Sequence, residues 1–131
     1  MIVVDTSAWV EFLRGTATPV ARTLRDLIAA DQELGITEIV FAEILAGSPP
    51  GPRLRELRST LLNFPVLPLA GLVDYEEAAL IYRSCRTAGE TLRGLVDCLV
   101  AVPAIRAGAA VLHRDRDFDV IARHTDLRVH V

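Results

Sequence analysis

Short runs of apolar residues alternate along the chain with longer segments of helical periodicity. The first run covers residues 2–4, is rich in β-branched residues and ends at Asp5, which is typical of a buried central strand. Further runs predict strands at residues 34–36, 66–69, 109–112 and 127–131. Pro68 cannot donate to a neighbouring strand, so the run at 66–69 is predicted at a sheet edge. Strands separated by helices predict an α/β fold, with a mostly parallel central sheet and helices on both faces.

The helical segments are marked by polar caps and by apolar stripes. They fall near residues 6–15, 18–28, 37–47, 53–61, 74–89, 94–107 and 117–124. Thr6 or Ser7 is predicted to cap the first and Thr37 the third, and Asp74 with Glu77 resembles a capping box for the fifth. Pro103 lies inside the sixth segment and is expected to bend that helix.

Length and composition favour one globular domain over residues 1–131. Hydrophobic residues make up 51% of the chain and the mean hydropathy is +0.35, so part of the surface is expected to be buried against a partner. No apolar run approaches the roughly 20 residues that cross a bilayer, and the N-terminus lacks the basic region of a signal peptide. Cys85 and Cys98 lack metal-ligand spacing, which indicates reduced thiols in an intracellular protein. A cytoplasmic location without membrane association is therefore expected.

The charged residues narrow the possible functions. The net charge of −3 argues against a generic basic nucleic-acid binder. All 14 basic residues are arginine, which excludes mechanisms that need a catalytic or phosphate-gripping lysine. Arginine suits phosphate recognition, but a biased genomic base composition also explains this usage.

Four acids occupy positions where a carboxylate is unusual. Asp5 and Asp115 follow predicted strands, so both are expected at the edge of the sheet where the carboxyl ends of parallel strands meet. Glu43 and Asp97 lie on largely apolar helix surfaces, where an uncompensated carboxylate is costly. A divalent cation would compensate such a cluster, and hard oxygen ligands favour magnesium or manganese.

Each acid also has a purely structural explanation. Asp5 can cap the following helix, and Glu43 can extend to solvent. Asp97 can pair with Arg93 or a distant arginine, and Asp115 can lie in a solvated loop or cap a helix. Only the joint placement of the four acids favours a common site.

Four ordered motifs carry a resemblance to a known family. They are Asp5-Thr6-Ser7-Ala8-Trp9, the segment TEIVFAEILAG at 37–47, Asp97-Cys98-Leu99-Val100-Ala101, and Asp115-Arg116-Asp117-Phe118. In order and spacing the chain resembles the PIN-domain ribonucleases, and most closely the VapC-type toxins of bacterial toxin–antitoxin pairs, from residue 2 to about residue 130. Two positions depart from the family pattern: His113 stands where Thr or Ser is frequent, and Pro103 where alanine-like residues are commoner.

The resemblance implies a metal-dependent endoribonuclease that leaves 5′-phosphate and 3′-hydroxyl ends. It places the catalytic and metal-binding acids at Asp5, Glu43, Asp97 and Asp115, with Asp117 as an additional or water-mediated ligand. It further implies Mg²⁺ as cofactor with Mn²⁺ as substitute, a tRNA or rRNA substrate, a cognate antitoxin and a homodimer. Substrate contacts are expected from the residues beside the acids, which are Thr6, Ser7 and Arg93.

Other classes of protein fit less well. A receiver-type phosphorylation module needs adjacent acids after the first strand and a late lysine, but Val4 precedes Asp5 and lysine is absent. A phosphatase with an aspartyl nucleophile needs a second acid two positions later, where Ser7 stands. The alternative that remains is a non-catalytic α/β interaction module with a vestigial acidic pocket, which metal titration would distinguish from the enzyme.

Overall fold

A computed structural model of the protein describes residues 1–130, which form five strands and seven helices. The strands are β1 (Ile2–Val4), β2 (Leu34–Thr37), β3 (Val66–Leu67), β4 (Ala110–Leu112) and β5 (Arg128–Val129). The helices are α1 (Thr6–Leu13), α2 (Pro19–Ala29), α3 (Glu38–Ala46), α4 (Pro52–Leu61), α5 (Leu72–Thr87), α6 (Val96–Arg106) and α7 (Arg116–His124).

The strands form one parallel sheet in the order β3-β2-β1-β4-β5. The predicted α/β class and parallel sheet are therefore confirmed. The strand with Pro68 beside it lies at an edge, as its missing donor requires. The last strand is shorter than predicted, because it ends at Val129; Val131, which the prediction included, lies outside the described residues.

The strand order determines where the helices and the expected binding crevice lie. The chain moves from β1 to β2 and β3 in one direction, then crosses over to β4 and β5 in the other. Because parallel crossovers are right-handed, α1 to α4 cover one face of the sheet and α5 to α7 cover the opposite face. The direction reverses between β1 and β4, and open α/β sheets bind ligands at the carboxyl ends of strands at such a point.

The central strands are buried on both faces, which explains their apolar sequences. Val3, Val4 and Val111 have no exposed surface, and Trp9 and Phe118 are the largest fully buried side chains. Trp9 packs against Phe64, with ring centroids 5.6 Å apart. Burial of each such side chain stabilises the fold by roughly 1.5–3 kcal/mol.

Several helix boundaries differ from the predicted ones. Asp5, not Thr6 or Ser7, caps α1, because its carboxylate accepts the Ser7 N–H at 3.0 Å. Helix α5 begins at Leu72 after Gly71, whose φ of +80° suits glycine. Asp74 therefore lies inside the first turn, where it is buried, accepts the Ala70 N–H and pairs with Arg106 of α6. Thr37 caps α3 as predicted by accepting the Val40 N–H.

Candidate functional site

Asp5 lies at the carboxyl end of β1 and is only 4% exposed. One carboxylate oxygen, Oδ2, accepts both the Ser7 N–H at 3.0 Å and the Ser7 hydroxyl at 2.7 Å. Burial raises the pKa of Asp5 and the nearby charge of Asp115 raises it further, against the lowering effect of the Ser7 hydrogen bonds.

Asp115 and Asp117 flank the start of α7, just beyond the carboxyl end of β4. The Asp115 Oδ1 atom caps this helix by accepting the Asp117 N–H at 3.0 Å. Partial burial raises the pKa of Asp115, but this hydrogen bond and the Arg93 guanidinium outweigh it, so the pKa is lowered. Asp117 is only 2% exposed and accepts the backbone N–H of Arg93 at 3.0 Å.

Asp97 lies in the first turn of α6 and faces the other acids. Asp97, Asp115 and Asp117 each place a carboxylate oxygen within 4.8 Å of the other two. Burial, followed by the charges of Asp5, Asp115 and Asp117, raises the pKa of Asp97 to about 8. Four carboxylates are therefore close enough to oppose one another's ionisation.

Glu43 approaches the same acids from α3. The Thr6 hydroxyl donates to Glu43 Oε1 at 2.8 Å and so ties α1 to α3. Glu43 also lines an open pocket of about 300 Å³, which Asp97, Asp115 and Asp117 line as well. The lining residues are Glu43, Arg93, Gly94, Val96, Asp97, Asp115 and Asp117. The structure thus brings the sequence-predicted acids together from four separate elements.

Arg93 does not pair with Asp97, which was one structural explanation for that acid. Its guanidinium instead contacts Asp115 Oδ1 and lies 3.6 Å from Asp117 Oδ2. Among residues 1–130 no ion pair is formed by Asp97, and this carboxylate remains within a cluster of like charge. The explanation of Asp97 as a structural ion-pair residue is therefore wrong.

Two hydrogen bonds that position the backbone near the acids could not be predicted from the local sequence. The imidazole Nδ1 of His113 accepts the Asp115 N–H at 2.9 Å, and the side chain of His113 is 6% exposed. His113 therefore provides a hydrogen-bond acceptor for the backbone at the position where the family pattern has a hydroxyl. The Ser7 hydroxyl oxygen, which donates to Asp5, accepts the Arg114 N–H at 2.8 Å and joins the ends of β1 and β4.

The donor set suits a divalent cation of the hard type. All the side chains are carboxylates, the oxygens of three of them lie close together, and cysteine and histidine nitrogen atoms are absent from the described cluster. Magnesium and manganese prefer such oxygen donors, whereas zinc sites are usually built with histidine or cysteine. Asp115 Oδ1 and Asp117 Oδ2 each already accept a backbone N–H.

Comparisons with known proteins agree with this fold. The PIN domain family model matches residues 2–124. The chain is 43% identical over 129 residues to the VapC ribonuclease Mb1587 of Mycobacterium bovis, covering 98% of this chain and 96% of that protein. The fold is similar to VapBC2 from Rickettsia felis, solved bound to a promoter DNA fragment, with a TM-score of 0.75, 18% identity and 99% and 98% coverage of the two chains.

A second solved structure has the same fold. It is VapC20 of Mycobacterium tuberculosis, described as a toxin that cleaves the sarcin–ricin loop. The TM-score is 0.66 at 17% identity, and the match covers 98% of this chain and 99% of the other. These comparisons together extend over nearly the whole of the described chain.

Proposed function

The chain belongs to the PIN-domain family, and from this premise we propose that it is a divalent-metal-dependent endoribonuclease, the toxin of a toxin–antitoxin pair. The observation that carries the proposal is the convergence of acids from β1, α3, α6 and α7 at the reversal point of the sheet. Relatives named as ribonucleases over nearly the full chain support the same reaction.

The acids are proposed to bind Mg²⁺ together, and Mn²⁺ is proposed to substitute for it. Asp5, Glu43, Asp97 and Asp115 are the proposed catalytic metal ligands. A divalent ion held by these residues would lower the pKa of a water and stabilise negative charge on a phosphodiester. Asp117 is proposed to position the backbone at Arg93 without binding the metal directly. The hydrogen bond that its carboxylate accepts from the Arg93 N–H supports this role.

The substrate is proposed to be RNA, cleaved to leave 5′-phosphate and 3′-hydroxyl ends. An acidic pocket repels the phosphate backbone, so cations beside it must offset that repulsion. Arg93 and Arg114 are both exposed beside the acids, and Thr6 and Ser7 add hydroxyl groups. A structured target of the tRNA or rRNA class is supported by the relative described as cleaving the sarcin–ricin loop.

We also propose a cognate antitoxin that binds in an apolar groove continuous with the site. The groove runs between the end of α1 and α3, and Glu43 belongs both to it and to the acidic pocket. The other end of the groove reaches α4 at Arg53 and Leu57, and Leu13 lines both parts of the groove. A peptide in this groove can reach the acids, and a basic group on that peptide would block them.

A homodimer is proposed to use a different face. Leu72 and Val73 at the start of α5 are 84% and 75% exposed, and Tyr75 is 48% exposed. Such a cluster of large apolar residues on the surface is typical of an interaction site. This cluster accounts for part of the apolar surplus in the composition.

The two interfaces predict separable mutant effects. Leu13→Glu should abolish co-purification with the protein encoded by the neighbouring gene but leave the sedimentation of the toxin alone unchanged. Leu72→Glu should shift the toxin towards monomer at micromolar concentration and retain the co-purified partner. Each variant is the control for the other, since both introduce one acid at an exposed leucine. Loss of both properties in either variant would contradict the assignment.

No helix within residues 1–130 has the length and apolar content needed to span a bilayer. Cys85 and Cys98 are buried and unpaired with each other. Free thiols are typical of reducing compartments. We propose a cytoplasmic location on this basis, which is also where RNA substrates of these classes are found.

The proposed reaction is tested by mapping RNA ends after brief expression. Wild-type protein should generate new 5′-phosphate ends at a small set of positions, and Asp5→Asn should generate none. The purified protein should reproduce the cuts with Mg²⁺ or Mn²⁺ and lose them with chelator. If the purified protein still cuts RNA in the presence of chelator, the metal-dependent assignment is wrong. If wild type and Asp5→Asn produce the same ends and the purified protein makes no cuts, a non-catalytic interaction module becomes the better interpretation.

A further inference from the structure

The segment between α5 and α6 is held along the length of α7. Glu90 contacts Arg123, and its Oε2 atom lies 2.6 Å from His124 Nε2 at the end of α7. Leu92 is only 2% exposed. The Arg93 N–H donates to Asp117 Oδ2 at the start of α7. Contacts at both ends of the helix therefore fix the backbone that carries Arg93.

The side chain of Arg93 is held much less firmly than its backbone. It is 72% exposed, whereas the carboxylates that it contacts, Asp115 and Asp117, are 19% and 2% exposed. The guanidinium can therefore leave these acids by rotating into solvent, while the backbone hydrogen bond to Asp117 keeps the segment in place. Two of the three carboxylates with closely spaced oxygens are its partners.

We propose that Arg93 is an internal competitor for the divalent cation and becomes a phosphate-binding residue when the cation displaces its guanidinium from Asp115. This inference rests on the proposed function, since it assumes that these carboxylates bind a metal and that RNA is the substrate. It assigns one side chain two successive partners, first a carboxylate and then a phosphodiester.

The exchange follows from charge and geometry. A guanidinium and a divalent ion are both cations, so they repel each other when they share Asp115. The arginine fork matches a phosphate as well as a carboxylate, so the released group has an alternative partner in bound RNA. The cation must displace this contact, so the apparent affinity of the site is the intrinsic affinity multiplied by the fraction of molecules in which Arg93 has left Asp115.

Removal of the guanidinium should therefore tighten metal binding. In Arg93→Gln, we expect the dissociation constant for Mn²⁺ to fall by about three- to fivefold, a modest effect because the arginine is exposed. The backbone N–H to Asp117 is unaffected by this substitution, so the segment should remain in place. The measurement is titration of free Mn²⁺ by electron paramagnetic resonance, with no RNA present.

Arg116→Gln is the matched control. Arg116 is also exposed, lies between Asp115 and Asp117 in sequence, and forms no ion pair with any residue from 1 to 130. Its substitution removes the same charge from the same neighbourhood without removing a contact. We expect its Mn²⁺ dissociation constant to change by less than about twofold, which is the screened effect of one nearby surface charge.

The second part of the proposal is tested with RNA at saturating Mn²⁺. Arg93→Gln should raise KM for RNA severalfold. If Arg93 only organised the acids, its substitution would instead lower metal affinity and kcat together. Unchanged or weaker Mn²⁺ binding in Arg93→Gln would overturn the inference, as would equal tightening in both variants. If the wild-type chain binds no Mn²⁺, the proposed function fails first; if it binds Mn²⁺ and cleaves RNA but the variants do not differ, only this inference fails.

Discussion

Asp5→Asn and Asp115→Asn are each expected to lower RNA cleavage by about a thousandfold while leaving the fold intact. Both acids serve as helix N-caps, Asp5 for α1 and Asp115 for α7. Asparagine caps a helix about as well as aspartate, so the amide retains the hydrogen bond and removes only the charge. A metal ligand contributes several kcal/mol to the transition state, and about 4 kcal/mol corresponds to a thousandfold in rate.

The same assay ranks the remaining acids. Glu43→Gln and Asp97→Asn should be as damaging as the two cap variants, whereas Asp117→Asn should be milder because Asp117 mainly orients the segment at Arg93. Asp26→Asn, an exposed change on α2, is the control and should retain full activity. Wild-type turnover in any two of the four ligand variants would disprove the four-acid site. A larger effect at Asp117 than at Asp115 would reverse their roles.

Metal binding is expected to raise the melting temperature by about 8 to 12 °C when Mn²⁺ exceeds its dissociation constant a hundredfold. Binding to the native state alone contributes about 2.7 kcal/mol under that condition, and a domain of this size gains roughly 3–4 °C per kcal/mol. Asp97→Asn should raise the melting temperature of the protein in chelator, because it removes a charge that the other acids oppose. It should also reduce the gain produced by Mn²⁺.

The pH dependence in chelator gives this prediction a definite sign. Burial and like charges raise the pKa of Asp97 to about 8 in the folded protein, well above the ordinary value of about 4 for an unfolded chain. The folded state therefore holds the proton more tightly, and the resulting stability is fully present below about pH 4 and is lost as the pH rises towards 8. Wild-type protein should lose stability between pH 5 and 8.

Asp97→Asn should flatten this loss, and Asp26→Asn should not change it. The pKa values of Asp74 and Glu90 are lowered in the folded protein, so these two acids stabilise the fold above their ordinary pKa values. That stabilisation is lost only as the pH falls through the acidic range, and it does not affect the change between pH 5 and 8. Thermal melts in chelator and in millimolar Mn²⁺ measure both effects. If Asp97→Asn is less stable than wild type in chelator and both respond equally to Mn²⁺, the acid cluster around Asp97 does not bind the metal.

The order of elements could be predicted from the sequence because it depends on local features. Apolar runs of three or four residues between amphipathic segments identify β1, β2 and β4, and Thr37 and Pro19 mark the starts of two helices. Boundaries were less predictable where several polar residues stand together. At Asp5-Thr6-Ser7 each residue can cap a helix, and only the position at which β1 ends selects Asp5.

The sequence by itself predicted which residues carry the chemistry. Asp5, Glu43, Asp97 and Asp115 stand out as carboxylates after strands or on apolar helix surfaces, and the motif order assigns them to one family. Only the tertiary structure decided how they are arranged, because their contacts join residues far apart in the chain. Thr6 meets Glu43 across 37 positions, and the Arg93 N–H meets Asp117 across 24. The partner of Arg93 depends on the packing of the segment before α6 against α7, a long-range arrangement that no local pattern encodes.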